Sequence, residues 1–240
     1  KSGDSLWSIA MRRNLPLDTL FLINPSLNPN RLQIGQTIQV PLRITWRLMN
    51  GKQNYNYEIM MNDIQRLQTV YPFLQVSSVG NSVLNRSIPE VLIGIGDKRV
   101  AYNGSFHANE WITTPTIMTF LNDYALSLTN QTTIRGLITS PLYEQTSLSI
   151  VPMVNPDGVN LVLNGPPELE PYRSNVIRWN NNSLDFSGWK ANINGVDLND
   201  QFPAEWEKER DRNPKTPGPR DYGGESPLSQ PEAIAMADLT

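Results

Sequence analysis

The chain has 240 residues, 39% of them hydrophobic, with a formal charge of -3 and a pI near 5.3. That supports a sizeable core and a globular chain, while dispersed Lys and Arg residues give no footprint for nucleic acid. With no cysteine, disulfides and thiolate metal sites are excluded, so a metal would need His, Asp or Glu, and no apolar run reaches the length of a membrane span.

Gly3-Asp4-Ser5-Leu6-Trp7-Ser8-Ile9-Ala10 reads as a turn, an N-cap at Asp4 and a short helix burying Leu6, Ile9 and Ala10. A second helix is expected over 17–23, ending near Asn24-Pro25 because proline disfavours helical geometry in the residue before it. Alternating Ile38 and Val40 before Pro41 predict a half-buried strand within 34–41.

These segments, together with Asn24-Pro25-Ser26-Leu27-Asn28-Pro29-Asn30, closely resemble a LysM module. The resemblance assigns residues 1–42 to a small α+β unit that binds N-acetylglucosamine-containing glycans, with Asp4, Ser5, Leu6, Asn24, Pro25 and Leu27 lining the groove. The opening strand of such modules is missing, which leads us to expect a cut N-terminus and leaves room for a lost signal segment.

Residues 43–54 read as a linker. Helical spacing of Tyr57, Met60, Ile64, Leu67 and Tyr71 predicts a helix over about 55–70, and strands are expected at 74–79, 91–95, 99–105 and 147–154. Between the last two, Ile117, Phe120, Leu121, Tyr124 and Leu128 form the stripe of a helix over 115–128, with Pro115 in its first turn. Strands separated by helices imply an α/β domain over 55–240, a mixed sheet covered by helices on both faces. The Asn-, Pro- and Gly-rich stretch 155–227 reads as a long functional loop. The tail 229–240 starts a helix with Ser229 as N-cap and Glu232 completing a capping box, and it stops as if cut.

The only histidine, His107, stands three residues before Glu110, just after the predicted strand at 99–105. By itself a His-x-x-Glu pair is weak, since a single histidine at a strand end is more often a hydrogen-bonded structural residue. Three further segments follow in order: Val154-Asn155-Pro156-Asp157-Gly158; Trp189-Lys190-Ala191-Asn192 with Gly195-Val196-Asp197-Leu198-Asn199; and Tyr222-Gly223-Gly224-Glu225-Ser226-Pro227. With Phe106-His107-Ala108-Asn109-Glu110-Trp111 they resemble the zinc carboxypeptidase family.

That resemblance implies a zinc cofactor with His107 and Glu110 as ligands. It also implies Asp197 as the carboxylate behind His107, and Lys190 as the cation opposing the oxyanion; Arg178 is the competing cation. Where family members that trim C-termini carry an arginine for the terminal carboxylate, this chain has Asp200, which would repel a carboxylate and attract an ammonium group. The same variant occurs in bacterial γ-D-glutamyl-L-diamino-acid peptidases, which cut peptidoglycan stem peptides. Asn199 and Asp200 are then expected to read the zwitterionic end of diaminopimelate. The implied partners are glycan strands and stem peptides, with no nucleic acid and no membrane span. The implied setting is the cell wall, outside the cell or on the spore, with a cytoplasmic recycling role left open. A metallocarboxypeptidase of protein C-termini and a non-catalytic wall-binding protein are the alternatives. The family's third ligand and its general-base glutamate have no match here and are expected beyond Thr240.

Overall fold

The structure, a computed structural model, describes residues 3–49, 51 and 54–240. Two helices, α1 (Leu6–Arg13) and α2 (Leu17–Ile23), open the chain. The N-cap of α1 is Ser5 rather than Asp4: Ser5 and Ser8 exchange side-chain to backbone hydrogen bonds in a capping box, while Asp4 pairs with Arg12 at 2.7 Å. The expected strand within 34–41 does not form. A strand needs a neighbour, and in its place the Asn24 side chain accepts from the Gln39 N–H at 2.8 Å and donates to the Gln39 carbonyl at 2.9 Å. One carboxamide thus supplies a single rung of a ladder, and among the described residues no further rungs follow.

The remaining elements are α3 (Tyr57–Val70), β1 (Gln75–Asn81), β2 (Ser87–Ile93), β3 (Lys98–Asn103), α4 (Thr113–Asn130), β4 (Thr133–Ile134), β5 (Leu137–Ile138), α5 (Ser140–Gln145), β6 (Thr146–Val151), α6 (Pro156–Asn164), α7 (Tyr172–Trp179), α8 (Trp206–Arg212) and α9 (Pro231–Leu239). The main sheet runs β1-β2-β6-β3, with the first two pairings antiparallel and β3 parallel to β6. The mixed α/β class expected from the sequence is therefore present.

On one side of the sheet, Met60, Ile64 and Leu67 of α3 and Met118, Leu121, Tyr124 and Leu128 of α4 are buried with Val91, Ile93, Leu148 and Ile150. The stripe of α4 is turned slightly from the expected one, and Phe120 is left partly exposed. Leu20, Leu22 and Ile23 of α2 join the same core, and the Thr19 hydroxyl donates to the Leu128 carbonyl at 3.1 Å. On the other side, Ala233, Ala235 and Met236 of α9 pack with Ile88, Val151, Val154 and Leu198.

The region 155–227 is not one loop. Asn155 caps α6, Pro156 occupies its first turn, and α7 and α8 follow, short and largely polar, with too few apolar residues to leave a strong periodic signal. α9 is capped at Gln230, not Ser229, and Glu232 turns inward instead of closing a capping box.

Candidate metal centre

β3 ends at Asn103 and the chain turns sharply at Ser105, whose φ of 51° lies in the left-handed region. A non-glycine residue held there costs on the order of 1 kcal/mol. It is kept in place by the Thr113 hydroxyl, which accepts from the Ser105 N–H at 2.8 Å, and by a 2.7 Å contact with the Thr114 hydroxyl. The turn delivers His107 at the start of a 3-10 turn, Ala108–Glu110.

His107 Nδ1 lies 3.0 Å from Glu110 Oε1, and Nε2 lies 3.1 Å from Asp197 Oδ1. The Glu110 carboxylate is about half exposed, whereas the Asp197 side chain is buried. Asn199 Nδ2 also reaches Nε2, at 3.0 Å. A protonated Nε2 donates to Asp197, and an unprotonated one accepts from Asn199.

Backbone contacts between loops bring these residues together. The Ala108 N–H donates to the Lys190 carbonyl at 2.9 Å, and the buried Asn155 amide donates to the carbonyls of Phe106 (3.2 Å) and Ala191 (3.1 Å). Gly158 packs directly behind this bridge, where a Cβ would come within 2.6 Å of Asn155 Oδ1 and 2.7 Å of the Ala191 carbonyl. Trp189 is buried beside Ala108, and the Phe106 and Phe202 rings, 6.1 Å apart, brace the two sides. On the far side of α6, Asp157 accepts from Arg86 Nη1 at 2.7 Å and from the Leu84 N–H at 2.8 Å.

Lys190 is half-buried beside the His107 turn, and among the described residues its ammonium makes no ion pair. Arg178 instead donates to Asn175 in the last turn of α7 and lies against Trp179. Asp200 sits in the 3-10 turn Leu198–Gln201 and accepts from Asn213 Nδ2 at 3.0 Å. Partial burial, and then the nearby carboxylates of Asp197, Asp221 and Glu209, push its carboxyl above the usual range; His107 opposes them.

In the N-terminal unit, Pro25 is exposed, Asp4, Ser5 and Leu27 are partly exposed, and Leu6 is buried. The buried Asn24 spends its amide on Gln39.

Residues 60–240 match the zinc carboxypeptidase family model and residues 1–41 match the LysM domain model. The chain belongs to the zinc carboxypeptidase family. It is 72% identical over 290 residues to gamma-D-glutamyl-L-diamino acid endopeptidase 1 of Lysinibacillus sphaericus, a match covering 100% of this chain and 73% of that protein. It is 43% identical over 207 residues to the uncharacterized protein YqgT of Bacillus subtilis (strain 168), covering 85% of this chain and 54% of that one. Among solved structures, bovine thrombin-activatable fibrinolysis inhibitor shares the fold with a TM-score of 0.53 at 17% identity, over 79% of this chain and 56% of that chain. Carboxypeptidase A from Helicoverpa armigera does so with a TM-score of 0.52 at 21% identity, over 80% of this chain and 43% of that chain. The LysM match points to cell-wall association, and among the described residues no helix is long and apolar enough to cross a membrane.

The cofactor of a zinc carboxypeptidase is zinc, and the donor pair fits it. Two ligand atoms, each about 2.0–2.1 Å from a tetrahedral ion, stand roughly 3.3 Å apart, close to the 3.0 Å between His107 Nδ1 and Glu110 Oε1. A proton on Nε2, directed at Asp197 on that side of the ring, would leave the Nδ1 lone pair for the metal. The fit covers two positions: among the described residues, no group of three or more His, Cys, Asp or Glu could hold an ion.

The motif Asn155-Pro156-Asp157-Gly158 was visible in the sequence, but its use was not: Asn155 bridges the two loops, and Asp157 neutralises Arg86. Gln201, inconspicuous in the sequence, proves to be buried between the 3-10 turn and the segment after α8.

Proposed function

We propose that the intact protein hydrolyses the amide bond between γ-D-glutamate and diaminopimelate in peptidoglycan stem peptides, while its LysM unit holds it on wall glycan. The observation that carries this reading is His107 set between Glu110 and Asp197, 3.0 and 3.1 Å from its two ring nitrogens. The identity to gamma-D-glutamyl-L-diamino acid endopeptidase 1 supports the bond, and Asp200 supports the polarity of the substrate.

Zinc, when bound, supplies Lewis-acid polarisation of the scissile carbonyl and an acidified water. The chain's own residues do the rest. Asp197 keeps the proton on Nε2 and fixes the plane of the imidazole. Glu110 offers a carboxylate on the open side. The Lys190 ammonium is the group available to oppose negative charge as the carbonyl oxygen becomes an alkoxide, a charge that appears only in the transition state. Asn199 and Asp200, on one 3-10 turn, take the carboxylate and ammonium of the diaminopimelate side-chain end. Asp200 disfavours an ordinary C-terminal carboxylate, which sets this reading above a metallocarboxypeptidase of protein tails.

For binding, the exposed and partly exposed residues Asp4, Ser5, Pro25 and Leu27 are the LysM contacts available to glycan, with Leu6 and Asn24 supporting them from behind. Attachment to glycan raises the local concentration of stem peptides. A wall-binding protein without catalysis is the alternative reading.

The deciding experiment is incubation of the intact protein, with stoichiometric zinc, with disaccharide tripeptide and tetrapeptide. Release of the diaminopimelate-containing peptide from the γ-D-glutamate is expected. Zinc-loaded protein that binds wall glycan but leaves both muropeptides intact would establish the non-catalytic reading.

A further inference from the structure

Gln201 is completely buried and uses both ends of its carboxamide. Nε2 donates to the Gly223 carbonyl and, at 3.2 Å, to the Ser226 carbonyl. Oε1 accepts from the Ser229 N–H at 2.8 Å, the Ser229 hydroxyl at 3.1 Å and the Gln230 N–H at 2.9 Å. Its own carbonyl accepts from the Leu228 N–H at 2.7 Å. A single side chain therefore ties the segment 223–230 to the 3-10 turn that carries Asn199 and Asp200.

That segment leads back to the metal centre. The Tyr222 carbonyl accepts from the Asp197 N–H at 2.8 Å, and the Asp221 N–H donates to Asp197 Oδ2 at 3.2 Å. With Oδ2 held there, Oδ1, which also accepts from the Asn199 N–H at 3.2 Å, faces His107 Nε2 at 3.1 Å. The approach is close enough to require two glycines: a Cβ at Gly223 would come within 2.9 Å of the Asp200 carbonyl, and one at Gly224 within 2.6 Å of Gln201 Nε2.

We infer that Gln201 is a positioning residue for His107: its carboxamide sets the backbone at 221–223, and that backbone orients the Asp197 carboxylate that fixes the imidazole. The inference takes from the proposed function only that His107 is the working centre. Its test reads the imidazole directly, so it can fail while the peptidase reading stands, and the reverse.

Because His107 is the only histidine, its two ring nitrogens give one isolated pair of resonances in the 15N spectrum of the whole chain. Recorded above the histidine titration range, the wild-type pair is expected to be well separated, as for a single tautomer with the proton on Nε2. Glu at position 201 keeps the acceptor but turns an oxygen toward the Gly223 and Ser226 carbonyls, so Gln201→Glu should move the two resonances toward each other as the tautomers mix. Ser229→Ala, which removes one hydrogen bond to Oε1, should shift them the same way by less, and it carries the test if Gln201→Glu does not fold. Ile64→Val, on the other side of the sheet, should lower the melting temperature without moving either resonance. Wild-type ring resonances in a folded Gln201→Glu, or in Ser229→Ala where that is the variant tested, would overturn the inference. So would an equal displacement in Ile64→Val, because either result would reduce Gln201 to general support of the fold.

Discussion

Asp197 Oδ1 reaches His107 Nε2 at 3.1 Å across 90 positions of sequence, and Asp197 Oδ2 is at the same time held by the Asp221 N–H at 3.2 Å. The carboxylate cannot rotate away from the ring without giving up a backbone partner. Removing it should therefore act on the metal rather than on the fold alone. Asp197→Ala in the intact protein is expected to weaken zinc binding roughly 10- to 100-fold, the usual effect of losing the partner behind a ligating histidine. Competition with a chromogenic chelator measures this, and an unchanged affinity would show that Asp197 merely caps the 3-10 turn Leu198–Gln201 through the Asn199 N–H.

Glu232 should make stability depend on pH. Burial pushes its carboxyl up to about 7, against the hydrogen bonds from the Val83 N–H and Asn192 that favour its charged form. The folded state therefore holds a proton that the unfolded state releases near 4.5, so the contribution to stability is full below that pH and is lost as pH rises toward 7. The difference is on the order of 3 kcal/mol at most. Urea midpoints across this range should fall with rising pH in the wild type and vary much less in Glu232→Gln.

Asn24→Ala should loosen the N-terminal unit. It removes two hydrogen bonds to the backbone of Gln39, an exposed residue, a loss of about 1–2 kcal/mol. Thermal unfolding checks the stability, and a glycan pull-down checks the binding groove, which should weaken even though Asn24 itself is buried. Full stability in the variant would show that the single rung to Gln39 contributes nothing.

Asp200→Arg should redirect substrate choice. Placing a cation beside Asn199 favours a terminal carboxylate by bidentate pairing. The ratio of kcat/KM for diaminopimelate stem peptides to that for ordinary C-terminal peptides is expected to fall by at least about tenfold, the equivalent of 1.4 kcal/mol. An unchanged ratio would remove Asp200 from substrate recognition.

Gly224→Ala should be costly for two separate reasons. Its φ of 84° strains a side-chain-bearing residue, and the new Cβ would meet Gln201 Nε2 at 2.6 Å. Together these amount to roughly 2–4 kcal/mol, readable as a lowered denaturation midpoint. A midpoint within error of wild type would mean that the segment moves freely around Gln201.

Local chemistry made much of this protein readable in one dimension. α2 falls at its expected boundaries and α3 within two residues of them, because helical spacing of apolar residues and a proline stop act within a few residues. His107 and Glu110 were legible for the same reason, being one turn apart at a strand end. Asp197 and Asn199 were reachable only through the family resemblance, since nothing in their own spacing indicates a partner 90 residues away. Tertiary structure alone decided the rest. A strand at 34–41 could not be settled locally, because a ladder depends on what lies beside it. The inward turn of Glu232, the loop bridge through Asn155 and the clasp of Gln201 depend on which polar groups are buried together. That requirement exists only once the chain has closed around them, and there each buried donor must find an acceptor.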